Sequence, residues 1–250
     1  MKIEFNFKES RYRTDLSKPI DISIPISDKK SPIAFNAPEL RLRPFEAEGF
    51  IGALEAGSPV NFYDISLNPH GNCTHTESAL HIDKRAPDIL STLKQFHFYA
   101  LLITVDPIKI PNGDLVIDAS SADWDSMDYE GLDAIVIRTV PNSANKKYLN
   151  YTNTNPAYLD PDLAYFLSER IDHLLLDLPS VDKEKDGGQL LSHKAFWQTK
   201  KNCAFRKTIT ELIYVDSSVK DGLYLLNIQT IPLAIDVSPS RPLLFPIEKI

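Results

Sequence analysis

The stretch Ser66–Ile82 reads SLNPHGNCTHTESALHI. It holds His70, His75 and His81 within twelve residues, with Glu77 between the last two. The chain of 250 residues has only six histidines, so a window of twelve at that frequency would hold about 0.3. Clustering on this scale marks a metal or catalytic site. The opposing reading is a loop of surface histidines that share nothing. The spacing favours a site. Imidazole is the commonest nitrogen ligand for Zn, Mn or Fe, and a carboxylate completes a mixed N/O set. His75 and Glu77 are two apart, so an extended backbone points both to one side. Gly71 and Asn72 offer a turn that folds His70 back to the same point. His81, four residues past Glu77, approaches from the far side.

Outward from this stretch the composition is that of an ordinary globular chain, 43% hydrophobic and 24% charged. A net charge of −7 argues against a nucleic-acid partner, which calls for a basic patch. Cys73 and Cys203 make no disulfide framework. No apolar run approaches the ~20 residues of a membrane span, so no membrane partner is expected. MKIEFNFKESRYRTDL has no continuous apolar core of a signal peptide, and the expected location is the cytoplasm. The expectation is one domain over residues 1–250, with an extended arm rich in proline over about residues 1–60.

Lys2–Phe7 and Ile20–Ile26 alternate as half-exposed strands, the second broken by Pro25. Residues 27–60 read as a long loop with a short helix near Pro44–Leu54; Phe45 and Phe50 there are candidates for a pocket wall, though packing is their commoner fate. Asn61–Leu67 is a strand entering the histidine stretch. Phe96–Val105 and Asp133–Val140 are continuous apolar runs of the kind a buried strand shows. Leu159–Ile171 is amphipathic with Asp160-Pro161 at its start, and His173–Leu178 is a strand. That order implies a crossover and an α/β domain. A helix over Gly188–Gln198 and strands at Thr208–Val215 and Leu223–Ile231 follow. Glu211 stands in the apolar run TITELIYV, where burying a carboxylate is costly unless it is paired or coordinated; an exposed face is the equal alternative.

Several segments together resemble the cyclase or kynurenine formamidase family of metal-dependent hydrolases, which includes isatin hydrolase. That family carries His-x-Gly-Thr-His-x-Asp-Ala-Pro-x-His. Thr74, His75 and His81 stand in the pattern, Glu77 replaces the Asp, Cys73 the Gly, and Ser78-Ala79 the Ala-Pro. One extra residue lies between His70 and His75. Ile171–Asp182 (IDHLLLDLPSVD), Asp133–Thr139 (DAIVIRT) and Ile20–Ile26 (IDISIPI) resemble family segments in the same order. The resemblance implies an α/β fold of the swivelling β/β/α kind, a mixed sheet with flanking helices. It implies a first metal on His70, His75 and Glu77, with His81 as the acid/base. It puts a second metal on His193 and Glu211, bridged by Glu77.

His97 and His173 flank apolar strands and read as structural. Arg138 either holds a substrate carboxylate or, the favoured reading, pairs with an acid. There is no G-x-S-x-G elbow, P-loop, G-x-G-x-x-G or H-E-x-x-H. The expectation is a hydrolase of an amide, lactam or ester carbonyl that uses one or two divalent ions, Zn or Mn, on a small-molecule substrate as a homo-oligomer, most simply a dimer. The alternative is a metal-binding or structural homologue that has lost turnover.

Overall fold

A computed structural model describes residues 1–199 and 205–250. Cys203 lies outside the described residues. Its backbone is built on one large mixed sheet. The principal strands are β1 (Lys2–Phe7), β2 (Ser10–Asp15), β3 (His75–Ser78), β4 (His97–Val105), β5 (Ala134–Thr139), β6 (His173–Leu176), β7 (Thr208–Glu211), β8 (Gly222–Asn227), β9 (Val237–Pro239) and β10 (Leu243–Lys249). Their order across the sheet is β1-β2-β10-β8-β4-β5-β6-β7-β3-β9, and Ile20–Asp21 adds a short strand on β10. The middle four strands, β4 to β7, are parallel neighbours. Every other pairing within this sheet is antiparallel. The helices are few: α1 (Pro69–Asn72), α2 (Ile89–Thr92), α3 (Pro161–Ser168) and α4 (Leu191–Phe196). This is the expected α/β class with a mixed sheet.

The parallel centre follows from the apolar runs. A strand covered on both faces has no use for polar alternation. Along β5, Ile135 and Ile137 enter one core with α3's Leu163 and Leu167, while Ala134 and Val136 enter a second core on the other face. The crossover from β5 to β6 passes through α3, whose N-terminus is capped by Asp160 Oδ1 accepting from the amide of Asp162 at 2.9 Å. The expected helix over Leu159–Ile171 is therefore shorter. Leu159 belongs to a small strand, Tyr158–Leu159, and Pro161 opens the helix.

Other boundaries also move. The helix expected near Pro44–Leu54 is replaced by small antiparallel pairs, Arg41–Pro44 with Tyr63–Ser66 and Glu46–Ala47 with Phe50–Ile51; a 3₁₀ turn covers only Leu54–Ala56. Gly49 at φ +84° makes the tight turn that a helix excludes. The expected Asn61–Leu67 strand is Tyr63–Ser66. Of Ile20–Ile26 only Ile20–Asp21 pairs, yet Ile22 and Ile24 are buried as their alternation requires, while Ile26 beyond Pro25 is exposed. The helix over Gly188–Gln198 contracts to α4, because Gly187, Gly188 and Leu190 all hold left-handed backbone ahead of it. The strands expected to reach Val215 and Ile231 end at Glu211 and Asn227.

Candidate metal centre

Strand β3 is the spine of the site. All four of its residues are buried, and it pairs on one side with β7 and on the other with β9. Antiparallel register sets Glu211 of β7 opposite His75 and Ile209 opposite Glu77. Residues opposite one another share a face. His75, Glu77 and Glu211 therefore share the face of Ile209, which packs in the core with α3 and with Phe196 of α4. Thr76 and Thr210 point to the other face, where their hydroxyls bond at 2.8 Å. From the helical side α4 lowers His193 onto the same spot.

His70 arrives from α1, a single helical turn. Asn68 caps it by accepting from Gly71 N at 3.2 Å, and Pro69 at the first position has no amide to satisfy. Gly71 is required by close approach: a Cβ there would lie 2.3 Å from Ala37 Cβ and 3.0 Å from the Ala34 carbonyl oxygen. His81 ends a 3₁₀ turn that Ser78 caps through Leu80 N.

The structure brings together all six residues singled out in the sequence. His70 Nδ1 lies 3.3 Å from Glu77 Oε2, and His193 Nε2 lies 2.9 Å from Glu77 Oε1. His75 Nε2 lies 3.3 Å from Glu211 Oε2, and His81 Nδ1 lies 3.9 Å from Glu77 Oε2. Two compact donor sets result, His70–Glu77–His81 and His75–Glu77–Glu211, each with its ligand atoms within 4.8 Å of one another. Glu77 is common to both, as the resemblance implies. His75 Nε2 faces Glu211, and the His81 ring stands beside that of His70.

Each imidazole is also held from behind. His75 Nδ1 donates to the Cys73 carbonyl at 2.9 Å, His193 Nδ1 to Asp182 at 2.6 Å, and His70 Nε2 to Asp236 at 3.1 Å. A ligating histidine whose other ring nitrogen is tied to a carbonyl or carboxylate is the usual outer support of a metal site. Two buried polar atoms here, His75 Nε2 and Glu77 Oε2, have no hydrogen-bond partner. A buried lone pair without a partner costs stability, and these two lie where a cation would take them. The donor chemistry fits a divalent ion.

Electrostatics agree. Burial resists charge at His70, but Asp236 and Glu77 beside it push its pKa up to about 10. Burial likewise opposes charge at His193, yet the Glu77 and Asp182 carboxylates hold its pKa well above the usual histidine value. Burial raises Glu77, and the histidines around it overcome this and hold its pKa well below the ordinary range. A nest of carboxylates that recruits protons onto imidazoles is a nest that demands positive charge. A bound divalent cation meets the same demand and displaces those protons.

Over the cluster opens a cavity of about 340 Å³. Ala34, Phe35, Gly71 and Leu190 give it apolar wall, and Asp182, Lys183 and Glu184 a charged rim. Lys183 is paired with buried Asp114 at 2.6 Å. Phe45 and Phe50 do not line this cavity; Phe45 packs on Phe62 with ring centroids 5.2 Å apart, and Phe50 is exposed. Arg138 is taken by Asp221 and by the carbonyls of Asp216 and Val219. Cys73 is buried, and burial pushes its thiol up to about 12, so it is an inert filler. His97 bonds to Asn227, and His173 to Thr208, both away from the cluster.

Two residues of the site were not singled out in the sequence. Asp182 closes the DLPSVD segment, whose position in the order of segments was the only signal. Asp236 carries no signal, since it precedes an unremarkable three-residue strand.

The Putative cyclase family model matches residues 14–183. The chain belongs to this family. No curated relative matches it by sequence. Among solved structures it is similar to a potential metal-dependent hydrolase with cyclase activity at 18% identity and TM-score 0.65, over 91% of this chain and 97% of that one. It is similar to isatin hydrolase A from Labrenzia aggregata at 15% identity and TM-score 0.66, over 91% and 93%. It also resembles a predicted metal-dependent hydrolase from Bacillus stearothermophilus at 18% identity and TM-score 0.63, over 91% and 98%. At these identities the likeness is one of fold. Among the described residues no helix is long and apolar enough to cross a membrane.

Proposed function

We propose that this cyclase-family chain is a metal-dependent hydrolase of an amide, lactam or ester carbonyl in a small molecule, of aryl formamidase or cyclic amidase type. The observation that carries the reading is the convergence of four supported imidazoles and two buried glutamates, with His75 Nε2 and Glu77 Oε2 left unpartnered. The names of the solved neighbours, isatin hydrolase among them, support the reaction class. The cavity, at the small end of ligand pockets, suits a compact substrate.

His70, His75, Glu77, His193 and Glu211 would hold one Zn²⁺ or Mn²⁺ or, since Glu77 serves both donor sets, two. A cation held there would polarise the substrate carbonyl and acidify a water. His81 moves the proton: its ring is half-buried at the cavity wall, and it serves the leaving nitrogen or oxygen as acid. Phe35 and Leu190 give the cavity an apolar wall on one side.

The test sets His81→Ala beside His75→Ala. His75→Ala is expected to lose its metal. His81→Ala is expected to keep metal and fold and to lose about 10²–10⁴-fold in kcat on formamides or lactams. Metal lost equally from both variants makes His81 a ligand. Failure of the wild type to turn over any formamide, lactam or lactone while holding its metal returns the non-catalytic homologue.

The same reading includes a homodimer in the cytoplasm. The support for the dimer is the segment of residues 41–66, where Leu54, Val60, Phe62, Tyr63 and Ile65 are all exposed. Two-stranded pairs are marginal in water unless covered, and an isologous contact is the commonest cover.

A further inference from the structure

Asp236 touches two histidines with one oxygen. Its Oδ2 lies 3.1 Å from His70 Nε2 and 3.1 Å from His81 Nδ1. The two rings stand 4.4 Å apart, centroid to centroid. The backbone of Asp236 is already used by the sheet, since its carbonyl accepts from Ser78 N at 2.9 Å. The carboxylate is thus fixed by the same strand end that carries Glu77, and it is free to face the rings.

A carboxylate only accepts, so both ring nitrogens facing it must carry hydrogen. That choice decides what the other nitrogens do. With hydrogen on Nε2, neutral His70 presents its Nδ1 lone pair towards Glu77 Oε2, 3.3 Å away. With hydrogen on Nδ1, neutral His81 leaves its Nε2 lone pair unprotonated. The tautomers required are opposite, and one oxygen imposes both.

We propose that Asp236 is the positioning residue that couples the metal ligand His70 to the proton carrier His81, assigning Nδ1 of the first to the cation and Nε2 of the second to the substrate. It touches neither cation nor substrate itself. The affinity change below rests on the metal reading of the cluster; the proton position on His81 does not.

The experiment uses the full chain labelled with ¹⁵N-histidine, as wild type, Asp236→Ala and the near-isosteric Asp236→Leu. Ring-nitrogen shifts are read metal-free and with Zn²⁺, and Zn²⁺ and Mn²⁺ affinities are titrated. In the wild type, neutral His81 is expected to carry hydrogen on Nδ1, and zinc to bind His70 through Nδ1. Both variants remove the acceptor at position 236 and are expected to move the His81 hydrogen to Nε2. Metal affinity is expected to fall about 10–100-fold, with the helical and sheet signature of the metal-free protein unchanged. If Asp236→Ala does not fold, Asp236→Leu carries the result. Tautomers that respond as stated without any metal binding uphold the positioning role and overturn the metal reading. Hydrogen on Nε2 of His81 in the wild type, or a His81 tautomer indifferent to both variants, overturns the role of Asp236 whatever the metal does.

Discussion

Glu77 spreads its two oxygens to opposite sides of the cluster, Oε1 to His193 and Oε2 towards His70. Aspartate at this place would sit one methylene short of both. We take the longer side chain and the extra residue between His70 and His75 to be coupled changes. Glu77→Asp is therefore expected to weaken Zn²⁺ or Mn²⁺ binding, on the order of tenfold; equal or tighter binding in a metal titration would separate the two changes. His173 makes a different residue-scale statement. It is buried against Phe98, and burial pushes its pKa down from 6.5 to about 4 despite Asp172 nearby. The unfolded chain takes up this proton near 6.5 and the folded chain resists it until about 4. The stability it contributes is thus complete above about 6.5 and lost as pH falls towards 4, to a total of about 3 kcal/mol. Melting temperatures of wild type and His173→Gln across that interval are expected to converge as the pH drops. Parallel decline would remove His173 from the account.

At the scale of elements, α4 is six residues long and carries His193. A helix this short does not hold itself. Asp182 holds it: Oδ1 accepts from Ser192 N at 2.6 Å and Oδ2 from the His193 ring at 2.6 Å. One carboxylate caps the helix and aims the imidazole. Asp182→Ala is expected to cost about 1 kcal/mol of stability as a lost cap and about 10–100-fold in metal affinity. Calorimetry and metal titration on one preparation check both, and loss of stability without loss of affinity would show that His193 stays in place unaided. The sequence made some elements plain for physical reasons. The parallel strands β4, β5 and β6 are buried on both faces, so their apolar runs are continuous and legible. Strand β2, SRYRTD, sits near the sheet edge and is polar on its open face, so nothing distinguishes it from a loop. The ends of α3 and α4 are set by Pro161 and by left-handed residues, which override the apolar periodicity. The candidate site was legible where its donors cluster in sequence, from His70 to His81. Asp236 was not, since only the pairing of β9 with β3 brings it there.

For the whole molecule, the segment of residues 41–66 stands on two short strand pairs with its apolar side chains open. The expected solution species is a dimer of 56.4 kDa, twice the 28.2 kDa chain. Paired Phe62→Asp and Ile65→Asp substitutions are expected to give the single chain by light scattering without altering the main sheet. A wild-type particle of 28.2 kDa at micromolar concentration counts decisively against the dimer.

Strand β3 is clasped between β7 and β9, both of which come far later in the chain. Asp236 follows His70 by 166 positions. At roughly 5–20 residues per second of synthesis, His70 is added to the chain roughly 8 to 33 seconds before its carboxylate partner exists. For that interval the nascent chain displays three histidines and a glutamate as an open, low-grade chelator that any ion can visit. The cluster is complete only once β9 lies beside β3 and brings Asp236 to the two histidines.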